Sequence, residues 1–269
     1  MKSLTIVTTW GTKYWPNPVQ AGVQSTVKNW PDHAKILLYP DDMSQQLELP
    51  RTEYYDLCKE QPVLKEFIER NKNNPRLTKW QPQQYKFEYD AIRFSYKVFA
   101  CIDAYYKTKP DMLWFLDADI ITFEKIPMHW LEHIIPDTAF TSYLGRPKKG
   151  FSETGYYAFN TAHKYAGEFF ERWQTYYDKD RFLELKGYTD SFTFDGARIE
   201  LEKEGKIKNE DLNDGRFAGG RRSRHPFINS ELGQYMDHMK GYDRKARMSS
   251  KKRDLTTKQT HPYWKTLKD

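Results

Sequence analysis

Two aspartates one residue apart, Asp117 and Asp119, close the continuous apolar run Met112-Leu113-Trp114-Phe115-Leu116. A carboxylate beside a hydrophobic strand is costly to desolvate unless something compensates its charge. A divalent cation compensates it well. Hard oxygen ligands suit Mg²⁺ or Mn²⁺, and an ion of that kind also bridges to diphosphate oxygens. Two acids at this spacing reach one ion, directly or through its water, where the strand bends into a loop. An ion held there neutralises the charge of a departing nucleoside diphosphate, the Lewis-acid role. The plainer alternative is a strand-end loop whose acids cap the following turn.

Such a pair has to be presented by a sheet. Residues 4–9 (LTIVTT) read as a buried strand, and Asn17-Pro18 as an N-cap followed by proline at the first position of a helix over 18–29. A second strand is expected at 34–39 and helices near 53–72 and 86–107. The strand 112–116 follows, and Pro127 then opens a short helix. Residues 138–143 and 155–160 read as strands, 163–178 and 190–204 as helices. The alternation predicts an α/β fold with a mixed central sheet and helices on both faces. In open α/β sheets ligands sit at the carboxyl ends of the strands, where Thr8, Thr9 and Asp117 fall. One domain over 1–269 is expected, with a nucleotide-sugar-binding half to residue 120, an acceptor half over 121–248 and a basic tail over 249–269.

The bulk composition narrows the class. A 38% hydrophobic content with 16% aromatics describes a folded chain with many Tyr and Trp at half-wet positions. No uninterrupted apolar stretch reaches the length of a membrane span. Met1-Lys2-Ser3 leads straight into a β-branched run, which is not the pattern of a secretory signal. Cys58 and Cys101 are isolated, so neither a disulfide framework nor a zinc site is expected, and a reducing cytoplasm is the simplest compartment. The net charge of +6 is uneven, with basic residues crowded from Arg216 to Arg253. A cluster of this kind attracts phosphates, in a nucleotide or a nucleic acid, or is a solvated surface.

The segment Tyr89-Asp90-Ala91-Ile92-Arg93-Phe94-Ser95-Tyr96-Lys97 resembles the Asp-x-x-Arg helix that precedes the Asp-x-Asp strand in several GT-A-type glycosyltransferase families. The resemblance implies a GT-A-like fold, and implies that Asp90 and Arg93 contact the donor sugar or its diphosphate. Lys97 lies four residues past Arg93 on the same helix face and adds charge against the diphosphate. The alternative is an ordinary amphipathic helix with Asp90 and Arg93 paired to each other. The stretch His238-Met239-Lys240-Gly241-Tyr242-Asp243-Arg244-Lys245 is similar to the His-x-x-Gly-x-x-Lys signature of glycosyltransferase family 8. That similarity implies His238 as the third protein ligand of the metal. His238 and Gly241 match; Arg244 holds the third position with Lys245 beside it, and the Pro-Trp that usually follows is absent. The diphosphate contact therefore falls to Arg244 or Lys245. The strand Thr5–Trp10 resembles the first strand of these folds, whose end meets the nucleoside, making Thr8, Thr9 and Trp10 candidates. Ser152–Asn160 looks like the segment that supplies a sugar-facing acid, Glu153, a close-packed glycine, Gly155, and a strand ending in Asn. Asp190 opens a helix, as an acceptor-side acid or base or as a helix-start residue favoured by the dipole.

The expectation is a Mn²⁺- or Mg²⁺-dependent transferase using a nucleotide-sugar, for choice a UDP-sugar, with Glu153 or Asp190 as base if it inverts; the family 8 likeness implies retention instead, in which the leaving phosphate itself takes the proton. One acceptor to consider is a hydroxylated base in DNA, because the loop 214–224 interleaves Arg216, Arg221, Arg222 and Arg224 with Phe217 and glycines. Two other classes share features with it. A haloacid-dehalogenase-like phosphatase also ends an apolar strand in Asp-x-Asp, although usually near the N-terminus. A non-catalytic sugar- or nucleic-acid-binding module would keep the fold without the chemistry.

Overall fold

The computed structural model describes residues 1–74, 77, 87–146, 150–213 and 225–268. Its strands are β1 (Leu4–Trp10), β2 (Lys35–Pro40), β3 (Thr52–Tyr54), β4 (Met112–Leu116), β5 (Ile120–Thr122), β6 (Thr141–Leu144), β7 (Glu153–Asn160), β8 (Asn209–Asp211) and β9 (Met236–His238). Its α-helices are α1 (Val19–Asn29), α2 (Leu57–Glu60), α3 (Pro62–Asn71), α4 (Ala91–Thr108), α5 (Met128–Ile134), α6 (Ala166–Asp178), α7 (Asp190–Lys203) and α8 (Tyr242–Arg247). Seven strands make one sheet in the order β3-β2-β1-β4-β7-β6-β8. The β3, β2, β1 and β4 strands run parallel, whereas β7 is antiparallel to both β4 and β6, so the sheet is mixed as expected. A second, two-stranded sheet pairs β5 with β9 and sets Ile120 opposite His238.

Helices cover both faces. On one, Val7, Leu113, Phe115, Tyr157 and Phe159 pack with residues of α3, α4, α6 and α7. On the other, Ile6, Trp114, Leu116 and Tyr156 pack with α1, α5 and C-terminal residues such as Phe227 and Trp264. The strand β4 is buried on both sides, which is why its sequence is an unbroken apolar run and not an alternation. That burial fixes the position of whatever follows it.

The element boundaries differ from expectation in instructive ways. The region 53–72 is not one helix: Thr52–Tyr54 is a parallel edge strand, and Asp56 then caps α2 by accepting from the Lys59 amide. Pro62 separates α2 from α3, because proline lacks the amide that would continue a helix and fits the first position of a new one. The helix expected at 86–107 begins at Ala91, with Asp90 as N-cap accepting from the Arg93 amide at 3.3 Å. In α1 the N-cap is Pro18 itself, not Asn17, and its side chain cannot cap. The strand expected from 138 starts at Thr141, and β7 starts two residues earlier than expected, at Glu153. The helix expected at 163 starts at Ala166, after a turn in which the Ala166 amide donates to the His163 carbonyl. Residues 249–268 fold against the domain, with Ser250, Lys251, Trp264 and Leu267 buried.

Candidate metal and donor site

β4 ends at Leu116, and the chain turns sharply: the Asp117 amide donates to the Gly155 carbonyl of β7 at 2.8 Å, and the Ile120 amide to the Asp117 carbonyl at 3.0 Å. This turn aims both acids off the carboxyl end of the central strand. Helix α1 packs directly onto it. A Cβ on Gly22 would lie 2.2 Å from the Ala118 carbonyl oxygen, so only glycine permits that approach. The sequence carried a signal for this, since a glycine inside a helical pattern commonly marks close packing.

His238 reaches the same point from the far end of the chain. Pairing of β9 with β5, and the Met239 amide bonded to the Asp119 carbonyl at 3.1 Å, bring its ring alongside the turn. The imidazole Nε2 is 3.4 Å from Asp119 Oδ1 and 3.6 Å from Asp117 Oδ2. One ligand atom from each of the three residues lies within 4.8 Å of the others. The ring rests on the β7 backbone at Gly155, where a Cβ would stand 2.5 Å from His238 Cε1. The close-packed glycine expected at 155 is thus the floor under the imidazole. The other ring nitrogen, Nδ1, is buried without a hydrogen bond, with Glu153 Oε1 3.8 Å away.

Basic side chains surround the acids. Lys97 Nζ lies 2.6 Å from Asp117 and 3.5 Å from Asp190, and donates to the Thr154 carbonyl at 3.1 Å. Burial works against its charge, but Asp117 and Asp190 outweigh it and hold the ammonium pKa above its ordinary value. Lys245 Nζ lies 2.6 Å from Asp119 and 4.2 Å from the centre of the Tyr14 ring. Glu153 is enclosed by Arg146 at 2.9 Å and by Lys240. Burial opposes its ionisation, yet Lys240, His238 and Arg146 prevail and hold its carboxyl down at about 2. A group so acidic and so enclosed is a poor proton acceptor near neutrality, and its geometry suits bracing Lys240 and His238. Asp190 sits at the first turn of α7, buried, accepting from the Tyr157 hydroxyl at 2.7 Å.

These groups line a cleft of about 970 Å³ that also includes Asn17, Phe151 and Tyr242. A neighbouring lobe of about 710 Å³ shares Tyr14, Arg93, Lys97, Asp117, Asp119 and Lys245 with it, and adds Thr9, Trp10 and Asp90. Eleven of the sequence candidates therefore meet at one place: Thr9, Trp10, Asp90, Arg93, Lys97, Asp117, Asp119, Glu153, Asp190, His238 and Lys245. Two do not. Thr8 points to the other face of β1, beside Gly22 and Thr26, because successive strand residues alternate faces. Arg244 faces away and pairs with Asp254 through two nitrogens, so of the two basic residues only Lys245 reaches the acids. The Arg93 guanidinium donates to the Tyr14 hydroxyl at 2.9 Å, and its backbone amide donates to the Asp90 carboxylate at 3.3 Å. Sequence reasoning missed Tyr14, Arg146 and Lys240, whose roles come from contacts distant in the chain. Within the basic cluster, Lys240, Arg244, Lys245 and Lys251 each pair with an acid. The loop 214–224, with Arg216, Phe217, Arg221, Arg222 and Arg224, lies outside the described residues.

No protein-family model and no curated protein matches the chain. Among solved structures it overlaps the apo form of mouse xyloside xylosyltransferase 1 with a TM-score of 0.46 and 9% identity, over 79% of this chain and 86% of that one. The apo form of the glycosyltransferase GlyE of Streptococcus pneumoniae overlaps with a TM-score of 0.43 and 13% identity, over 79% and 46%. The bifunctional glycosyltransferase WbbM overlaps with a TM-score of 0.49 and 10% identity, over 90% and 46%. The chain spans less than half the length of the GlyE and WbbM chains. These overlaps are partial and distant.

Proposed function

We propose that this chain is a metal-dependent glycosyltransferase that moves a sugar from a nucleoside-diphosphate sugar, a UDP-sugar, to an acceptor hydroxyl. The observation that carries the reading is the convergence of Asp117, Asp119 and His238 at the carboxyl end of the central strand, on the floor of a cleft. Two carboxylates and an imidazole fit Mn²⁺, and fit Mg²⁺ less well because of the nitrogen. A bound ion of this kind supplies Lewis-acid stabilisation of the leaving diphosphate. Arg93, Lys97 and Lys245 supply fixed positive charge on the same side, preorganised where negative charge develops. Thr9, Trp10 and Asp90 wall the lobe for the nucleoside.

Asp190 and Glu153 line the larger cleft and not the lobe walled by Trp10, which suits the acceptor side. We take Asp190 over Glu153 as the acceptor-side acid, since among the described residues it faces one cation, Lys97 at 3.5 Å, whereas Glu153 is enclosed by both Arg146 and Lys240. For the acceptor we favour a hydroxylated base in DNA. Tyr242, 88% exposed at the cleft rim, offers a ring for stacking next to Lys240. Among the described residues no helix is long and apolar enough to cross a membrane.

Hydrolysis of UDP-sugars measured with and without Mn²⁺ tests the reading. Metal-dependent release of UDP, abolished in Asp117→Ala, is expected. Absence of nucleotide-sugar binding under either condition overturns it, and phosphate release from a simple phosphomonoester would favour a phosphatase instead. Steeply salt-sensitive DNA binding is expected for the acceptor, and its absence removes DNA from consideration.

A further inference from the structure

The two acids at the centre of the site divide their oxygens in the same way. Asp117 gives Oδ1 to Lys97 at 2.6 Å and turns Oδ2 toward His238 Nε2. Asp119 gives Oδ2 to Lys245 at 2.6 Å and turns Oδ1 toward the same nitrogen. The space bounded by Asp117 Oδ2, Asp119 Oδ1 and His238 Nε2 can therefore take a cation while both lysines stay where they are. Each lysine has a second anchor that keeps it there, the Thr154 carbonyl for Lys97 and the Tyr14 ring for Lys245.

The acids around that space are already neutralised by paired cations, and Arg93 adds a further positive charge in the same cleft. Asp117, Asp119, Glu153 and Asp190 face Lys97, Arg146, Lys240 and Lys245. A divalent cation entering alone leaves two uncompensated positive charges in a largely buried setting, where repulsion from the lysines is weakly screened. The diphosphate of a nucleotide-sugar carries two negative charges and restores the balance. We propose that Lys97 and Lys245 are built-in counter-ions of the acid pair that make the divalent cation and the nucleoside diphosphate bind as a unit, so that neither occupies the site well without the other. The proposal rests on the metal-dependent donor reading above and adds to it a reason why the acids do not simply act as a cation trap. By linkage, each partner raises the affinity of the other by the same factor.

Lys245 is the residue to change. It lies on α8, a surface helix with no buried residue, so the fold tolerates its loss. Binding of Mn²⁺ is followed by electron paramagnetic resonance of the free ion, and binding of UDP by calorimetry, for the wild-type chain, Lys245→Met and Lys245→Arg. Wild type is expected to bind Mn²⁺ weakly alone and much more tightly with UDP. Lys245→Met is expected to bind Mn²⁺ alone about tenfold more tightly and to lose a similar part of the UDP-dependent gain. Lys245→Arg keeps the charge and should return both values toward wild type. Equal or weaker binding of Mn²⁺ alone in Lys245→Met overturns the counter-ion role while leaving the metal site standing. If none of the three forms binds Mn²⁺, with or without UDP, the metal reading fails and this inference fails with it.

Discussion

Asp117 and Asp119 hang from the middle of a seven-stranded sheet, whereas His238 hangs from a two-stranded arm whose apolar contacts, through Phe227, Met236 and Trp264, are supplemented by buried polar bonds. On the acid side, β4 is buried throughout and hydrogen-bonded to β1 on one edge and β7 on the other. On the histidine side, β9 has three residues and, among the described residues, pairs only with the equally short β5. What secures it is Asp237, whose carboxylate accepts from the Ser250 amide at 2.8 Å, the Ser250 hydroxyl at 2.5 Å and the Tyr263 hydroxyl at 2.7 Å. Asn229 adds a second knot by accepting from the Thr256 and Thr257 amides. Phe123 stacked on Tyr263 pins the chain end to the segment after β5. One site thus combines a half fixed inside a large sheet with a half fixed by a short strand pair, an apolar seam and a few buried hydrogen bonds. The difference teaches where such a site is more easily disturbed: the acids move with the sheet, whereas cutting a polar knot should loosen the histidine first.

Four substitutions or conditions break or sharpen that contrast. The largest effect is expected from Asp117→Ala, which removes a proposed ligand without touching the β4 core. Turnover of nucleotide-sugar should fall by on the order of 10²–10³ while far-ultraviolet circular dichroism stays unchanged. Asp237→Ala cuts the knot one residue from the ligand. Mn²⁺ affinity in the presence of UDP should fall about 10–100-fold, as when groups that orient a metal ligand are removed, with a lower melting temperature. Gly155→Ala tests the seam between the halves, since the added methyl meets the imidazole. Metal affinity should drop several-fold, and stability by about 1–3 kcal/mol as for an overpacked position; unchanged metal affinity would show that the ring does not rest there.

Acid should loosen the histidine half selectively. Burial opposes ionisation of Asp254, but its bonds to Arg244 and to the Lys251 amide outweigh this and hold its carboxyl below its ordinary value of 3.8. A carboxyl depressed in the folded state adds stability that is fully present above 3.8 and is lost as pH falls below it. Hydrogen exchange of residues 225–268 should therefore accelerate in that range before exchange in the sheet does. Asp254→Asn should flatten the difference, and exchange that accelerates equally in both halves would argue against a separate polar arm.

The same contrast explains what the sequence disclosed. The sheet and its flanking helices were legible because burial repeats with strand and helix periods, so β4 and the acids at its end stood out. The break at Pro62 was legible in principle and was overridden by the apolar pattern around it. His238 was found through a short motif, but the arm that places it was not, because Asp237, Ser250, Asn229 and Tyr263 form no period and their partners lie 13 to 28 residues away. Residues 249–268 accordingly read as a basic tail. Arg244 and Lys245 were indistinguishable by type, and only the geometry separated the one paired to Asp254 from the one at Asp119. Thr8 was assigned with Thr9 by position, where the alternation of β1 sends them to opposite faces.

The central claim is that Asp117, Asp119 and His238 hold one metal ion against a nucleoside diphosphate. A crystal soaked with Mn²⁺ and a panel of nucleotide-sugars, with anomalous diffraction collected for manganese, tests it directly. The account predicts a single manganese peak ligated by Asp117, Asp119 and His238 and by the diphosphate of a UDP-sugar, with the nucleoside in the lobe walled by Trp10. A nucleotide-sugar bound in the cleft with no manganese at these three residues, or manganese bound elsewhere, would contradict it.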